Sequence, residues 1–95
     1  MIYELAFKKS ALKEWKKLSV DLQKQFKKKL EERLKSPHVI SARISGDIHL
    51  YKIKLRQSGY RLVYQVDDHV VRVTVISVGK RERNAVYEKA LTRLS

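Results

Sequence analysis

Apolar positions change their period once along the chain, near residue 40, and the two halves predict different elements. Ile2 to Phe7 places apolar residues on both faces of a short extended run, which predicts a buried strand. Ala11, Leu12, Trp15 and Leu18 then form one helical stripe that starts near Lys9 or Ser10. Ser19 is placed to cap a second helix, with Asp21 in a first turn where a negative charge favours the helix dipole. Leu22, Phe26, Leu30 and Leu34 recur every four residues along it, while Lys24, Lys27, Lys28, Lys29, Arg33 and Lys35 fill its other faces. Ser36-Pro37 should end it, because proline disfavours helical geometry in the residue before it. Two amphipathic helices joined by a tight turn form an antiparallel hairpin that needs a sheet to cover its apolar stripes.

Downstream the period is that of strands. His49 to Arg56 alternates, with Tyr51, Ile53 and Leu55 on one face and Leu50, Lys52, Lys54 and Arg56 on the other. Gln57-Ser58-Gly59 predicts a hairpin loop, Tyr60 to Val66 a strand, Asp67-Asp68 a tight turn, and His69 to Val78 a long β-branched strand ended by Gly79. Helical spacing returns at Val86, Ala90, Leu91 and Leu94, for a short, loosely docked C-terminal helix over 84–94. The expected fold is α+β: an N-terminal strand, a helical hairpin, a three-stranded antiparallel meander and a short C-terminal helix around a four-stranded antiparallel or mixed sheet. Neither linker nor repeat interrupts residues 1–95, so one domain is expected.

Composition narrows the chemistry. The 95 residues hold no cysteine, which excludes a disulfide scaffold, a thiol nucleophile and a Cys-based zinc site, and suits a reducing cytoplasm. The N-terminal run does not read as a signal peptide, and no apolar stretch approaches the ~20 residues of a membrane span. Lys and Arg number 22 against 10 Asp and Glu, a net charge of +12, and each half of the chain carries the same excess. A domain basic throughout points to an extended polyanion rather than to one acidic patch.

Candidate chemistry gathers on the second strand and its neighbours. Lys52 and Lys54, spaced i, i+2, put two ammonium groups on one face about 7 Å apart. With a loop at 57–59, strict pairing sets Lys54 opposite Leu62 and turns Arg61 to the other face; a bulge would bring it round. Arg81 and Tyr87 follow the last strand, and such a set of cations with a tyrosine, on the sheet face away from the helices, suits phosphate recognition. An ordinary solvated sheet face and a nucleic-acid-binding sheet both fit this pattern, and residue patterning alone does not reach catalysis. His38, His49 and His69 stand in no HxH, HExxH or i, i+4 relation, so they are read as surface residues and no metal is expected. Phosphate-cradling glycine loops are absent, no cofactor is implied, and Trp15 is read as core.

Ala11-Leu12-Lys13-Glu14-Trp15, Lys27-Lys28-Lys29-Leu30, Tyr51-Lys52-Ile53-Lys54-Leu55-Arg56, Ser58-Gly59-Tyr60-Arg61-Leu62-Val63-Tyr64 and Val78-Gly79-Lys80-Arg81-Glu82-Arg83 with Val86-Tyr87 together resemble the RelE toxins nearly end to end. That superfamily also contains gyrase poisons on the same fold. The resemblance implies a metal-independent endoribonuclease that cuts messenger RNA in the ribosomal 30S A site. It also implies a RelB-type antitoxin partner, operator DNA contacted only through that complex, and no membrane.

By position the family's functional set falls on Lys52, Lys54, Arg61, Arg81 and Tyr87. Lys24, Lys27, Lys28, Lys29, Arg43, Arg56, Lys80 and Arg83 are the further cations expected to meet RNA or ribosome. One departure is Ser45-Gly46, where relatives often carry a basic residue before the glycine. The implied reaction is attack of a ribose 2′-hydroxyl on the adjacent phosphate. Lys54 would be the base, since neighbouring Lys52 and Arg61 disfavour its charged form. Arg81 would be the acid or a charge stabiliser, Lys52 and Arg61 would hold phosphate oxygens, and Tyr87 would stack on the nucleotide. A gyrase-directed toxin and a non-catalytic nucleic-acid-binding module are the alternatives.

Overall fold

The computed structural model describes residues 2–44, 49–80, 90, 92 and 93. Its elements run β1 (Glu4–Phe7), α1 (Lys9–Lys16), α2 (Val20–Lys35), a 3-10 turn (Ile40–Ala42), β2 (Leu50–Leu55), β3 (Tyr60–Asp67) and β4 (Arg72–Lys80). The four strands form one sheet in the order β1-β4-β3-β2. β2, β3 and β4 make an antiparallel meander, and β1 lies parallel to β4, so the sheet is mixed.

Helix boundaries follow local chemistry. The Ser19 hydroxyl accepts the Leu22 N–H at 3.2 Å and starts α2, and Ser36 ends it before Pro37. The Gln23 side chain donates to the Trp15 and Leu18 carbonyls at 2.9 and 3.4 Å, satisfying acceptors where α1 stops. Both helices cover one sheet face, α1 against β4 and α2 against β2. There Phe26, Leu30, Tyr51, Ile53, Leu62, Tyr64, Val73 and Val75 form the main core with Trp15, which packs on Phe7 and Phe26. Leu12, expected in the helical stripe, is 37% exposed at its margin.

Three expectations are corrected. β1 is not a buried strand: it is the sheet's edge, shorter than 2–7 and at best half-buried, because only β4 pairs with it. β4 begins at Arg72 rather than His69 and runs on through Gly79 to Lys80. Before it, the Asp67 carboxylate accepts the His69 and Val70 N–H groups, and Val71 takes a positive φ of 53°, holding 68–71 as a turn. β4 also carries a bulge: Val63 pairs with Ser77 but Tyr64 with Val75, leaving Ile76 as the extra residue. The bulge resets the alternation so that Val73, Val75 and Val78 all reach the helix-side core.

The other sheet face is not simply solvated. Leu50, Val63 and Ile76 form a second apolar cluster with Ala90 of the C-terminal segment, and all four are fully buried. That segment is anchored, not loosely docked, at the described residues. Arg93 pairs with Glu14 at 2.9 Å and donates to the Ile76 carbonyl at 2.8 Å, while Glu14 accepts the Val78 N–H at 3.2 Å. One ion pair thus satisfies backbone groups of β4 beyond the point that β1 reaches. Among the described residues no helix is long and apolar enough to cross a membrane.

Candidate nucleic-acid interface

The hairpin between β2 and β3 decides the site. Its loop is the four residues 56–59, closed by a hydrogen bond of 2.9 Å from the Gly59 N–H to the Leu55 carbonyl. Gly59 takes φ +76°, a conformation that glycine adopts without steric cost. The turn sets Leu55 opposite Tyr60 and Lys54 opposite Arg61, one residue away from the strict register expected for a 57–59 loop. Directly opposed residues of an antiparallel pair share a face, so no bulge is needed to bring Arg61 beside Lys54.

The next partner in that row is Gly79 on β4, which presents no side chain beside Arg61. Lys52 lies two residues back from Lys54 on the same face. Lys54 is exposed, whereas Lys52 and Arg61 are half-buried. A cavity of about 380 Å³ opens there, lined by Lys54, Leu55, Arg56, Gly59 and Arg61, with neither carboxylate nor imidazole among these residues. A second groove of about 360 Å³ adjoins it and brings Lys29 and Arg33 of α2 to Lys52, Lys54 and Arg56.

β2 itself is held from α2. Arg33 donates through Nη1 to the Lys52 carbonyl at 3.3 Å and to the Tyr64 hydroxyl at 2.9 Å, with its guanidinium 5.8 Å from the Tyr64 ring centre. The Tyr64 hydroxyl donates to the Pro37 carbonyl at 2.8 Å, and the Tyr64 ring stacks on Tyr51 across the strand pair. Burial raises the pKa of Tyr64, and Arg33 offsets part of that rise. The network continues through the Tyr51 hydroxyl to His38 at 3.2 Å, and from His38 to Asp68 at 2.9 Å. Tyr3 also donates to Asp68, at 2.7 Å. That bond, and then the one to His38, holds the Asp68 carboxyl below its ordinary pKa. His38 is a surface residue, as expected, and also a structural member of this network. Sequence reasoning missed Arg33 and Glu14 because neither carries a local signal of its distant partner.

Of the residues expected to act, Lys52, Lys54 and Arg61 come together, and Arg81 and Tyr87 lie outside the described residues, as do Arg83 and Ser45-Gly46. Lys29 and Arg56 adjoin the three, whereas Lys24, Lys27 and Lys28 are exposed on α2 and do not line either cavity. Arg43 forms a backbone bridge to Tyr51 on the outer edge of β2. Lys80 pairs with Tyr60 and so belongs to the helix-side face, away from Lys54 and Arg61.

Residues 5–85 match a family model described as the ParE toxin of type II toxin–antitoxin systems, parDE. The chain is also 55% identical over 94 residues to the mRNA interferase toxin RelE of Escherichia coli, covering 99% of each. This chain belongs to the RelE/ParE toxin family. A double arginine-to-alanine mutant of E. coli RelE in the free state matches with a TM-score of 0.93 and 53% identity, over all of both chains. The toxin in the intact E. coli RelBE toxin–antitoxin complex matches with a TM-score of 0.82 and 57% identity, over 85% of this chain and 99% of that one. The α+β fold with its four-stranded sheet is thus that of RelE, and the paired cations stand on a RelE scaffold.

Proposed function

We propose that this chain, an mRNA interferase toxin of a type II toxin–antitoxin module, cuts messenger RNA in the ribosomal A site with Lys54 and Arg61 at the centre of its catalytic surface. The observation that carries this reading is the direct pairing of Lys54 with Arg61, beside Lys52, at a cavity whose described lining holds no carboxylate. Such a surface attracts a phosphodiester.

Lys54 accepts the proton of the ribose 2′-hydroxyl as its oxygen attacks the adjacent phosphorus. The bond from phosphorus to the 5′ oxygen breaks, leaving a 2′,3′-cyclic phosphate and a 5′-hydroxyl. Lys52 and Arg61 hold the non-bridging oxygens and stabilise the charge that develops on them. Arg81 is assigned to the leaving oxygen as proton donor or charge stabiliser, and Tyr87 to stacking on the nucleotide. Arginine is a weak acid, so the ribosome contributes alignment, an effect that reaches about 7–11 kcal/mol in oriented systems.

The ribosome, the messenger and a RelB-type antitoxin are the partners we assign, in the cytoplasm where translation occurs. The net charge of +12 supports both an RNA surface and an acidic antitoxin. The RelBE complex of the E. coli relative supports the antitoxin. Operator DNA is a partner we assign only through that complex. Reconstituted translation with mapping of 5′-hydroxyl ends tests the reading, which expects cuts within the A-site codon. Because the matching family model is described as ParE, gyrase is the rival target. Uncut codons together with inhibited gyrase supercoiling would replace the nuclease reading.

A further inference from the structure

We propose that the groove between α2 and the edge of β2 is a second phosphate subsite, which seats the phosphodiester next to the scissile one on the same messenger strand. The inference rests on the nuclease reading above and adds a path for the RNA. Lys29, Arg33, Lys52, Lys54 and Arg56 surround the groove, Ser41 adds a hydroxyl, and no carboxylate lines it among the described residues. Its apolar lining is Ala42 and Ile53, which offer an anion no competing charge.

Two features tie this groove to messenger rather than to any passing polyanion. Lys54 and Arg56 line both the groove and the catalytic cavity, so an anion in one lies beside the other. Successive phosphates of a single strand are one nucleotide apart. The neighbour of the scissile phosphate must therefore rest in a space adjoining the catalytic cavity, and this groove is such a space. The groove wall is also pre-organised, since the Nη1 bonds of Arg33 to the Lys52 carbonyl and the Tyr64 hydroxyl fix its guanidinium.

Lys29 is the residue to test, because it is exposed on α2 and lines the groove but not the catalytic cavity. Single-turnover cleavage on reconstituted ribosomes would compare a native messenger with two others. Each of those carries one uncharged methylphosphonate, in the linkage immediately 5′ or immediately 3′ of the scissile phosphate. Lys29→Ala should slow the native messenger about ten-fold, the scale of one hydrogen bond to a charged group, and Lys29→Arg should restore most of the rate. With one of the two modified messengers, the wild-type protein should slow similarly and Lys29→Ala should add nothing further. If Lys29→Ala slows both modified messengers by the same factor as the native one, the groove serves ribosomal RNA and the proposal fails. An unchanged rate on the native messenger overturns it as well. Cleavage of the native messenger by the wild-type protein reports on the nuclease reading separately.

Discussion

Lys54 and Arg61 stand directly opposite each other across the β2–β3 hairpin, and the positive φ of Gly59 puts them there. A loop shorter by one residue would turn every side chain of one strand to the other face. The turn is therefore as much a part of the cationic surface as the cations.

Gly59→Ala should disturb that turn through backbone strain alone, since an added Cβ would meet nothing within 4 Å. The left-handed conformation costs a residue with a side chain about 1–2 kcal/mol, which lowers the melting temperature of a domain this size by roughly 5–10 °C. Gly59→Asn should lose less. Thermal unfolding of the two variants checks the order, and equal losses would point to a role other than φ.

Arg33→Met keeps much of the side chain's bulk but removes the donors to the Lys52 carbonyl and the Tyr64 hydroxyl. A loss of about 1–3 kcal/mol in denaturant unfolding is expected. The Lys52 carbonyl should also shift in carbon-13 spectra, and a variant that leaves both unchanged would dismiss Arg33 as the support of β2.

Glu14 and Arg93 are 79 residues apart in sequence and only 19% and 22% exposed at their side chains, Arg93 the more open. Glu14→Ala removes the acceptor of the Val78 N–H and the partner of Arg93 together, so amide exchange at Val78 should accelerate at least ten-fold. Exchange at Leu62, in the core of β3, should change only with global stability. Equal acceleration at both amides would mean that the pair holds the whole fold rather than the end of β4.

Asp68 gives a pH signature. Its carboxyl titrates below its ordinary value, chiefly through the Tyr3 hydrogen bond and then His38, so its ionised form is favoured in the folded state. That stabilisation is present above about pH 4, the unfolded value, and is lost as pH falls through the lower folded value. Wild type should therefore melt above Asp68→Asn at pH 6, and the gap should close as the pH drops below about 4. A gap that stays constant from pH 6 to 3 would contradict this assignment.

Much of this arrangement was legible in the sequence because its causes are local. Ser19 capped α2, Ser36-Pro37 ended it, and the alternation at 50–55 separated Tyr51, Ile53 and Leu55 from Lys52 and Lys54 as expected. The hairpin register was not legible, since it turns on whether Arg56 joins the loop, a difference of one residue. The bulge at Ile76 leaves no mark in a β-branched run, and β1 reads as buried until its single neighbour is known. Arg33 and Glu14 look like ordinary helix-surface charges; only the packing of α2 on β2 and α1 on β4 gives them backbone partners.

The most direct test of the catalytic surface is a double-mutant cycle. Single-turnover cleavage of A-site messenger would be measured for wild type, Lys54→Ala, Arg61→Ala and the double variant. Each single change should cost at least about a hundred-fold, and the double variant should be little slower than the worse single, because the two cations act on one phosphate as a unit. Losses that multiply in the double variant, or a single variant that cuts at the wild-type rate, would contradict the account.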